Sequence, residues 1–515
     1  MQAPSPAQTL AKPPIALLAT IGALTFIDFL QNGMVAFAAA PIMGEIGASP
    51  EEYANVAVVY ACVAVVMIAL QGWLVHHLGL RRYLLASLAS TAAGALVCAL
   101  SRDEAGFLLG RVLMAVGCAA MLTSSRLAVN LIPPGPARFH GIKALATGLC
   151  TGTALAPWLA SVAVDHDGWP LMFWLAAALA MLAMVPVALA MPGREGGATV
   201  AGQARLAPIA ALGLGSFLLL HALQRSYYDF FSERWLLLLY AAAGLAALAY
   251  FAHSETRNGA PLLKLGGMKE ARFLSGLALF MLCYLMLGAN GYLVPLMLQR
   301  GLGQSWSTAG EFFALGLGAG VLTFAMMSQL LPRWPSPRKF FVAGFLALAA
   351  FGALMSRLTP TANLWADVFP ALACYGMFIM IVMPTTAMQT FTGLTRDPAV
   401  FAHAQQVKNM LAQIGQALGI MVATVGQQWF ASRHYDALTR GIAAGNARFE
   451  AAMRQLTDYF STMADPVQAQ QMAMAQIAQM VSQQSALLAN LDHFRVLAAV
   501  ALAGALVSLA QRVFR

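Results

Sequence analysis

Fourteen apolar windows, each close to the ~20 residues a helix needs to cross a bilayer, divide this chain at approximately 15–40, 55–76, 83–101, 105–132, 141–163, 170–191, 206–222, 235–252, 273–294, 308–331, 340–357, 364–388, 405–430 and 493–511. Lipid offers no hydrogen-bond partner to the backbone, so such windows become helices or strands of a closed barrel. Their unbroken apolar runs, in place of alternation, favour helices. The sequence therefore predicts an all-α integral membrane protein with 14 transmembrane helices. Composition agrees: 10% of the residues are charged and 60% hydrophobic, against about 25% charged in a typical soluble domain. A soluble enzyme or a nucleic-acid binder is excluded, because the net charge of +9 is scattered between apolar segments and not clustered on one face. The six cysteines, Cys62, Cys98, Cys118, Cys150, Cys283 and Cys374, all lie within apolar stretches and read as small buried residues. No metal-ligand spacing, phosphate loop or nucleophile elbow is present, so no catalytic, metal or cofactor site is expected.

Placing the N-terminus inside puts about 17 basic residues in inner segments and about 10 in outer ones, which orients both termini toward the cytoplasm. The inner set includes Lys12, Arg81, Arg82, Arg138, Lys143, Arg194, Arg205, Arg257, Lys264, Lys269, Arg272, Arg333, Arg338, Lys339, Arg396, Arg512 and Arg515. No cleaved signal peptide is expected from Met1 to Pro14, which lacks a small-residue cleavage site. A repeat joins the first and ninth windows: Ala40-Pro41-Ile42-Met43 and Val294-Pro295-Leu296-Met297 each close a helix and lead to a second helix ending in paired cations. The expected organisation is a cytoplasmic tail (1–14), an N-terminal six-helix half (15–191), a two-helix insert (206–252) and a C-terminal six-helix half (273–511). The latter contains a periplasmic loop (432–490) whose Gln/Met/Ala-rich part predicts an external helical hairpin, either a solvated cap or a docking surface.

Ionisable side chains inside a span are costly and usually face a cavity or a partner. Four stand out: Asp28, Arg111, Arg126 and Glu311. Asp28 falls near mid-membrane, and Arg111 can reach toward it or toward Asn32, which makes an Asp28–Arg111 pair the leading candidate for proton coupling. The same pair could instead be a static packing element. Arg126, nearer the cytoplasmic side, either attracts anions or snorkels to lipid phosphates. Glu311 is a second protonation site or a wet carboxylate at a helix start. Gln31, Asn32, Asn290 and Tyr292 are candidate polar residues of a substrate cavity.

Several of these patterns resemble the major facilitator superfamily, and within it the fourteen-span drug/proton antiporters of the EmrB/QacA type. Gly72-Trp73-Leu74-Val75-His76-His77-Leu78-Gly79-Leu80-Arg81-Arg82 is similar to the loop 2–3 signature, with His76 at its aspartate. Arg111 matches the arginine of the span 4 proton-coupling motif, with Met114-Ala115 in place of Gln-Gly. Gly148, Gly152 and Ala156-Pro157 resemble the span 5 antiporter motif, with Ala160-Ser161 where Gly-Gly is usual. Aligned on Ala39-Ala40-Pro41, the family's span 1 aspartate falls at Asn32, one helical turn above Asp28. In the second half Glu255-Thr256-Arg257, Pro261-Leu262-Leu263, Pro295 to Gln299, Ala309-Gly310 and Asn409 with Gly415 and Gly419 match family landmarks, while Ala412 stands at a frequent arginine. The long outer loop, opening near Arg433-His434 and closing at Asp492-His493-Phe494, looks like that of the EmrB branch.

The resemblance implies the major facilitator fold and a multi-pass inner-membrane efflux pump that exports lipophilic or amphiphilic compounds against the proton gradient. Asp28 and Arg111 would couple the proton, and Gly72, Gly79, Arg81 and Arg82 would gate the cytoplasmic side. Gly148, Gly152 and Pro157 would form the antiporter motif. Partners implied are membrane lipids, a periplasmic membrane-fusion adaptor and an outer-membrane channel. Two alternatives remain open: a dedicated exporter of an endogenous compound such as a siderophore or organic anion, and a non-transporting receptor or scaffold.

Overall fold

In a computed structural model, residues 13–119, 121–133, 135–166, 168–192, 202–330, 336–440, 446–511 and 513–514 are described. Lys12, Arg194, Arg333, Arg512, Arg515 and nearly all of the tail 1–14 lie outside them. Every regular element among the described residues is helical, and 14 helical segments are long and apolar enough to cross a membrane.

The N-terminal half runs α1 (Ile15–Phe37), α2 (Ala39–Ile46), α3 (Pro50–Leu78), α4 (Leu80–Leu100), α5 (Glu104–Cys118), α6 (Met121–Asn130), α7 (Pro136–His166) and α8 (Pro170–Ala190). Next comes α9 (Leu206–Arg257), then α10 (Ala271–Leu296), α11 (Trp306–Leu330), α12 (Pro337–Met355), α13 (Phe369–Thr390), α14 (Pro398–Thr439), α15 (Ala447–Phe460) and α16 (Pro466–Ala510). Local chemistry sets many of the starts. Ser49 and Glu52 form a reciprocal capping box ahead of α3, with Pro50 in the first turn. Asp103, Asp397 and Asp465 accept backbone N–H groups at the starts of α5, α14 and α16.

Helix boundaries are drawn more finely than the windows. The insert, expected as separate windows at 206–222 and 235–252, is two helical arms, with spans at Leu206–Ser226 and Ser232–Arg257, joined across a kink at Glu233, whose φ of −126° and ψ of 27° leave the helical region. Its arms fold back on each other, with Gly244 against Leu219 and Gly215 against Ala247. In the 432–490 segment, where a helical hairpin is expected, α14 continues to Thr439, α15 covers Ala447–Phe460 and α16 starts at Pro466. An amphipathic polar helix needs no lipid to be stable when a neighbour covers one face, and α15 lies against α16. At its base, Asp492 binds His434 Nε2 and Arg495 Nη1, each at 2.7 Å.

The two six-helix halves repeat one packing pattern. α1 packs on α7 as α10 packs on α14, and α4 packs on α8 as α12 packs on α16. Between the halves, α3 meets α14 and α7 meets α11. The insert docks on the α3/α14 seam: Leu220 packs with Val58 and Cys62, and Phe217 lies against the same cluster, as do Ile414 and Leu418. Arg225 pairs with Glu51, and Gln224 donates to the Glu51 carbonyl at 2.7 Å. Apolar residues line the bundle's outer faces. Leu182, Val185 and Leu189 are exposed on one face of α8, a cost in water that vanishes in hydrocarbon.

One end of the bundle collects the α3/α4 turn and the basic connections at Arg138, Lys264, Lys269 and Arg338; it is called the basic end here. The opposite, hairpin end carries α15 and the extended parts of α14 and α16.

Candidate functional site

Between the halves lies a central cavity. Its N-half wall comes from α1, α6 and α7 and its C-half wall from α10, α11, α13 and α14. Phe29, Leu122, Leu287, Phe313 and Leu317 make it apolar; Asn32, Asn409, Gln413 and Gln416 add amides. Asp28 is the one carboxylate among the lining residues. An adjoining space shares Asn32, Ala36, Gln413 and Gln416 and reaches Arg111, Tyr53 and Tyr60.

The seam between α1 and α7 positions Asp28. A Cβ on Gly152 would stand 2.7 Å from the Phe26 carbonyl, and one on Gly33 would stand 2.5 Å from Ala156 Cβ. Gly148 touches Gly22 and Thr25. Small residues therefore let the backbones meet, and Pro157 continues from this seam into the cavity wall. Gly415 and Gly419 serve α10 and α14 in the same way, against Met281 and Leu285.

Asp28 is 5% exposed and accepts an N–H from Asn32 Nδ2 at 3.2 Å. The expected Asp28–Arg111 pair is not among the ion pairs of the described residues. Arg111 Nη1 instead donates to Gln31 Oε1 at 2.9 Å, Gln31 Nε2 donates to Tyr60 OH at 3.0 Å, and the Arg111 guanidinium lies 4.1 Å from the centre of the Tyr60 ring. The reason is helical phase: Gln31 is three residues beyond Asp28 and nearer the hairpin end, the level at which Arg111 leaves α5. Gln31 is thus a buried bridge and not part of the cavity wall. Asn32 does line the cavity. Asn290 is fully buried and donates to the Met286 carbonyl at 2.9 Å; Tyr292 is 8% exposed, and neither lines the central cavity.

Glu311 is exposed on α11 and outside the cavity lining. Arg126 sits on α6 toward the basic end, with Tyr284 and Lys408 within electrostatic reach. The expected gate loop Gly72 to Arg82 is shorter than its motif: Gly72 lies inside α3, and one residue, Gly79, makes the turn into α4. Gly79 has φ +80° and ψ 150°, a region that side chains enter at about 1–3 kcal/mol. Gly79→Ala should therefore lower the thermal-unfolding midpoint by several degrees in detergent, whereas Gly72→Ala, with no atom within 4 Å of the added Cβ, should leave it unchanged. Arg81 and Arg82 are exposed beside this turn.

Sequence reasoning missed Lys408. It is 1% exposed on α14, with Nζ 5.0 Å from the centre of the Phe280 ring and 5.8 Å from that of Tyr284. The signal was present as an ionisable residue within the 405–430 window, but near its edge. The helix starts at Pro398, which puts Lys408 ten residues, roughly 15 Å, inside it.

Contacts join the halves at both ends of the cavity. Toward the basic end, Asn409 Nδ2 donates to Thr123 Oγ1, and Gln406 Nε2 donates to the Ile68 carbonyl at 2.9 Å. Toward the hairpin end, Ser307 N donates to Asp165 Oδ2 at 2.8 Å and Phe37 meets the Trp306 ring edge to face at 5.7 Å.

With this geometry in place, comparison with known proteins is decisive for the family. The Major Facilitator Superfamily profile matches residues 21–420. The chain belongs to the Major Facilitator Superfamily. It is accordingly a multi-pass membrane transporter and not an enzyme. Among Major Facilitator Superfamily members, it is 25% identical over 416 residues to the protein named "Putative multidrug resistance protein MdtD" of Escherichia coli O81 (strain ED1a), covering 79% of this chain and 85% of that one. It is 28% identical over 285 residues to the Salmonella typhi protein of the same name, covering 55% of this chain and 60% of that one. The fold is shared with solved transporters. The nucleoside transporter NupG aligns over 97% of this chain and 100% of its own, with a TM-score of 0.56 and 12% identity. A bacterial homologue of the human lysosomal transporter Spinster, inward-facing and unoccupied, aligns over 99% and 98%, with a TM-score of 0.57 and 15% identity.

Proposed function

We propose that this protein is a proton-coupled antiporter that exports lipophilic or amphiphilic small molecules, of the kind counted as drugs or toxic compounds, across the bacterial inner membrane. The supporting observation is a lone carboxylate, Asp28, among the lining residues of a cavity that is otherwise apolar and amide-lined and lies between the two halves. An apolar pocket with a few orienting polar groups accepts varied amphiphiles with little discrimination. A carboxylate there can exchange its proton for a substrate contact as access alternates. The basic end faces the cytoplasm in this reading. The likeness to proteins named for multidrug resistance points the same way, as does the resemblance to the EmrB branch.

The test is substrate-triggered proton release from purified protein in liposomes, scanned over anionic, cationic and neutral lipophiles. Release with a broad set of amphiphiles is expected. No release with any of them sinks the antiporter reading and leaves a receptor or scaffold. A second reading, a dedicated exporter of an organic anion, draws on one observation: α6 and α14, which both contribute to the cavity wall, carry the cations Arg126 and Lys408. Transport confined to anions would favour it.

The exposed α15 and the outer part of α16 would meet a periplasmic adaptor, and through it an outer-membrane channel. Deletion of 447–465 with a short linker should leave transport in liposomes intact while abolishing drug resistance in cells. Loss of both activities, or of neither, would remove the tripartite assignment.

A further inference from the structure

Arg111 is the one charged residue lining the space beside the central cavity. It is 5% exposed on α5, and three helices of the N-terminal half fix its guanidinium. Nη1 donates to Gln31 Oε1 on α1 at 2.9 Å and lies 3.8 Å from Met114 Sδ; Gln31 Nε2 donates to Tyr60 OH on α3 at 3.0 Å; and the guanidinium lies 4.1 Å from the centre of the Tyr60 ring. This closed ring of three side chains sets the orientation of the guanidinium and brings it no negative charge. Nε and Nη2 make no hydrogen bond among the described residues, and none of the ion pairs there includes Arg111. A guanidinium presents its N–H donors as a planar fork that matches a carboxylate, and a cation inside a span is costly without a counter-charge.

The walls around this fork suit a lipophilic acid. Tyr53 and Phe107 stack at 6.4 Å, and Tyr53 OH is spent on the Val35 carbonyl at 2.8 Å, so these rings offer flat apolar faces. Gln413 and Gln416, from α14 of the opposite half, line both this space and the central cavity, as does Asn32. Asp28 lines the central cavity alone, so the two charges are segregated, the cation to the side and the carboxylate to the centre. Resting on the export reading, in which this cavity holds the substrate, we infer that Arg111 anchors a subsite for the carboxylate of an amphiphile whose apolar body lies in the central cavity against Phe29, Leu287 and Phe313. Arg111 then serves recognition, in place of the proton coupling expected for it from the sequence. Gln31 and Tyr60 are positioning residues, acting on the anion through Arg111. The amides of α14 border the same space, so a seated carboxylate lies between elements of both halves. An amine-headed amphiphile meets an uncompensated guanidinium there and is turned toward the Asp28 side, which sorts substrates by repulsion as well as attraction.

The experiment measures binding to the purified protein in lipid nanodiscs by calorimetry, using three probes that share one body: naphthylbutyrate, naphthylbutyramide and naphthylbutylamine. At about pH 7.5 the acid is ionised and the amine protonated. The wild type should bind the carboxylate about ten-fold tighter than the amide, as a charge-assisted pair of hydrogen bonds provides. Arg111→Gln should remove that preference and leave the affinity for the amide within about two-fold; Arg111→Lys, a point charge without the fork, should keep only part of the preference. Gln31→Glu sets a carboxylate against the guanidinium at nearly constant shape and should abolish the preference with Arg111 still in place. A wild type without the preference overturns the subsite, as does an Arg111→Gln protein that retains it, or a preference that disappears in Arg126→Gln and survives Arg111→Gln. Should Arg111→Gln not fold, Gln31→Glu decides: an undiminished preference there means that the anion sits elsewhere. Proton release from the same wild-type protein in liposomes separates this inference from the reading beneath it. Release intact with no carboxylate preference defeats the subsite alone, and release absent with a preference that depends on Arg111 defeats antiport and leaves the subsite standing.

Discussion

Asp28→Asn should abolish substrate-triggered proton release, lowering it by about two orders of magnitude, as expected when the sole proton-exchanging group is removed. The substitution is nearly isosteric, and the amide can still accept the Asn32 N–H that Asp28 receives at 3.2 Å. The cavity should therefore keep its shape and its affinity for uncharged substrates. What is lost is the link between substrate movement and the proton. The mutant should equilibrate substrate down its own gradient and fail to accumulate it against one. The measurement compares counterflow with gradient-driven uptake in inverted vesicles: counterflow preserved and driven uptake lost is the expected pair. Driven uptake at the wild-type rate would move coupling away from α1, and the exposure of Glu311 means that residue could not simply take it over.

Gly152→Leu should have an equally large effect by a different route. The added Cβ would lie 2.7 Å from the Phe26 carbonyl and 3.3 Å from the Leu30 N. Both neighbours are backbone and cannot rotate away, so α1 and α7 must separate. Overpacking of this kind costs about 1–3 kcal/mol, and here it also shifts Asp28, two residues beyond Phe26. The expected result is a protein that elutes largely aggregated in detergent, with transport below detection in the folded fraction. Gly318→Leu on α11, where nothing lies within 4 Å of the new Cβ, is the control and should behave as wild type. A monodisperse, active Gly152→Leu protein would show that the seam is looser than its geometry.

The sequence carried the fourteen spans and the two-half organisation because hydropathy and glycine placement are local properties. Gly148 and Gly152 were legible as a close-packing motif, and the structure sets them, on α7, against α1. Asp28 and Asn32 were legible as cavity residues because a polar group in mid-span needs a reason. Partner choice was not legible. Arg111 could be assigned to Asp28 or to Asn32 by reach, but its engagement with Gln31 depends on rotational phase between α1 and α5, which no spacing rule supplies. Lys408 escaped because its apolar window began at 405, while the helix extends seven residues further toward the basic end. In the 432–490 segment the helical hairpin was legible from its helix-forming composition, but its exact ends were not: polar composition marks where lipid ends, not where a helix ends.

The length of α14 has a mechanical implication. A single unbroken helix of 42 residues spans roughly 63 Å, from the residues that touch Thr123 and Ile68, past the amides of the cavity wall, to the base of the external hairpin, where His434 grips Asp492 of α16. Such a rod does not absorb a tilt; it carries it. A few degrees of rocking at the inner seam would swing its far tip by several ångströms, so whatever rests on the outer hairpin would feel each turnover as a stroke.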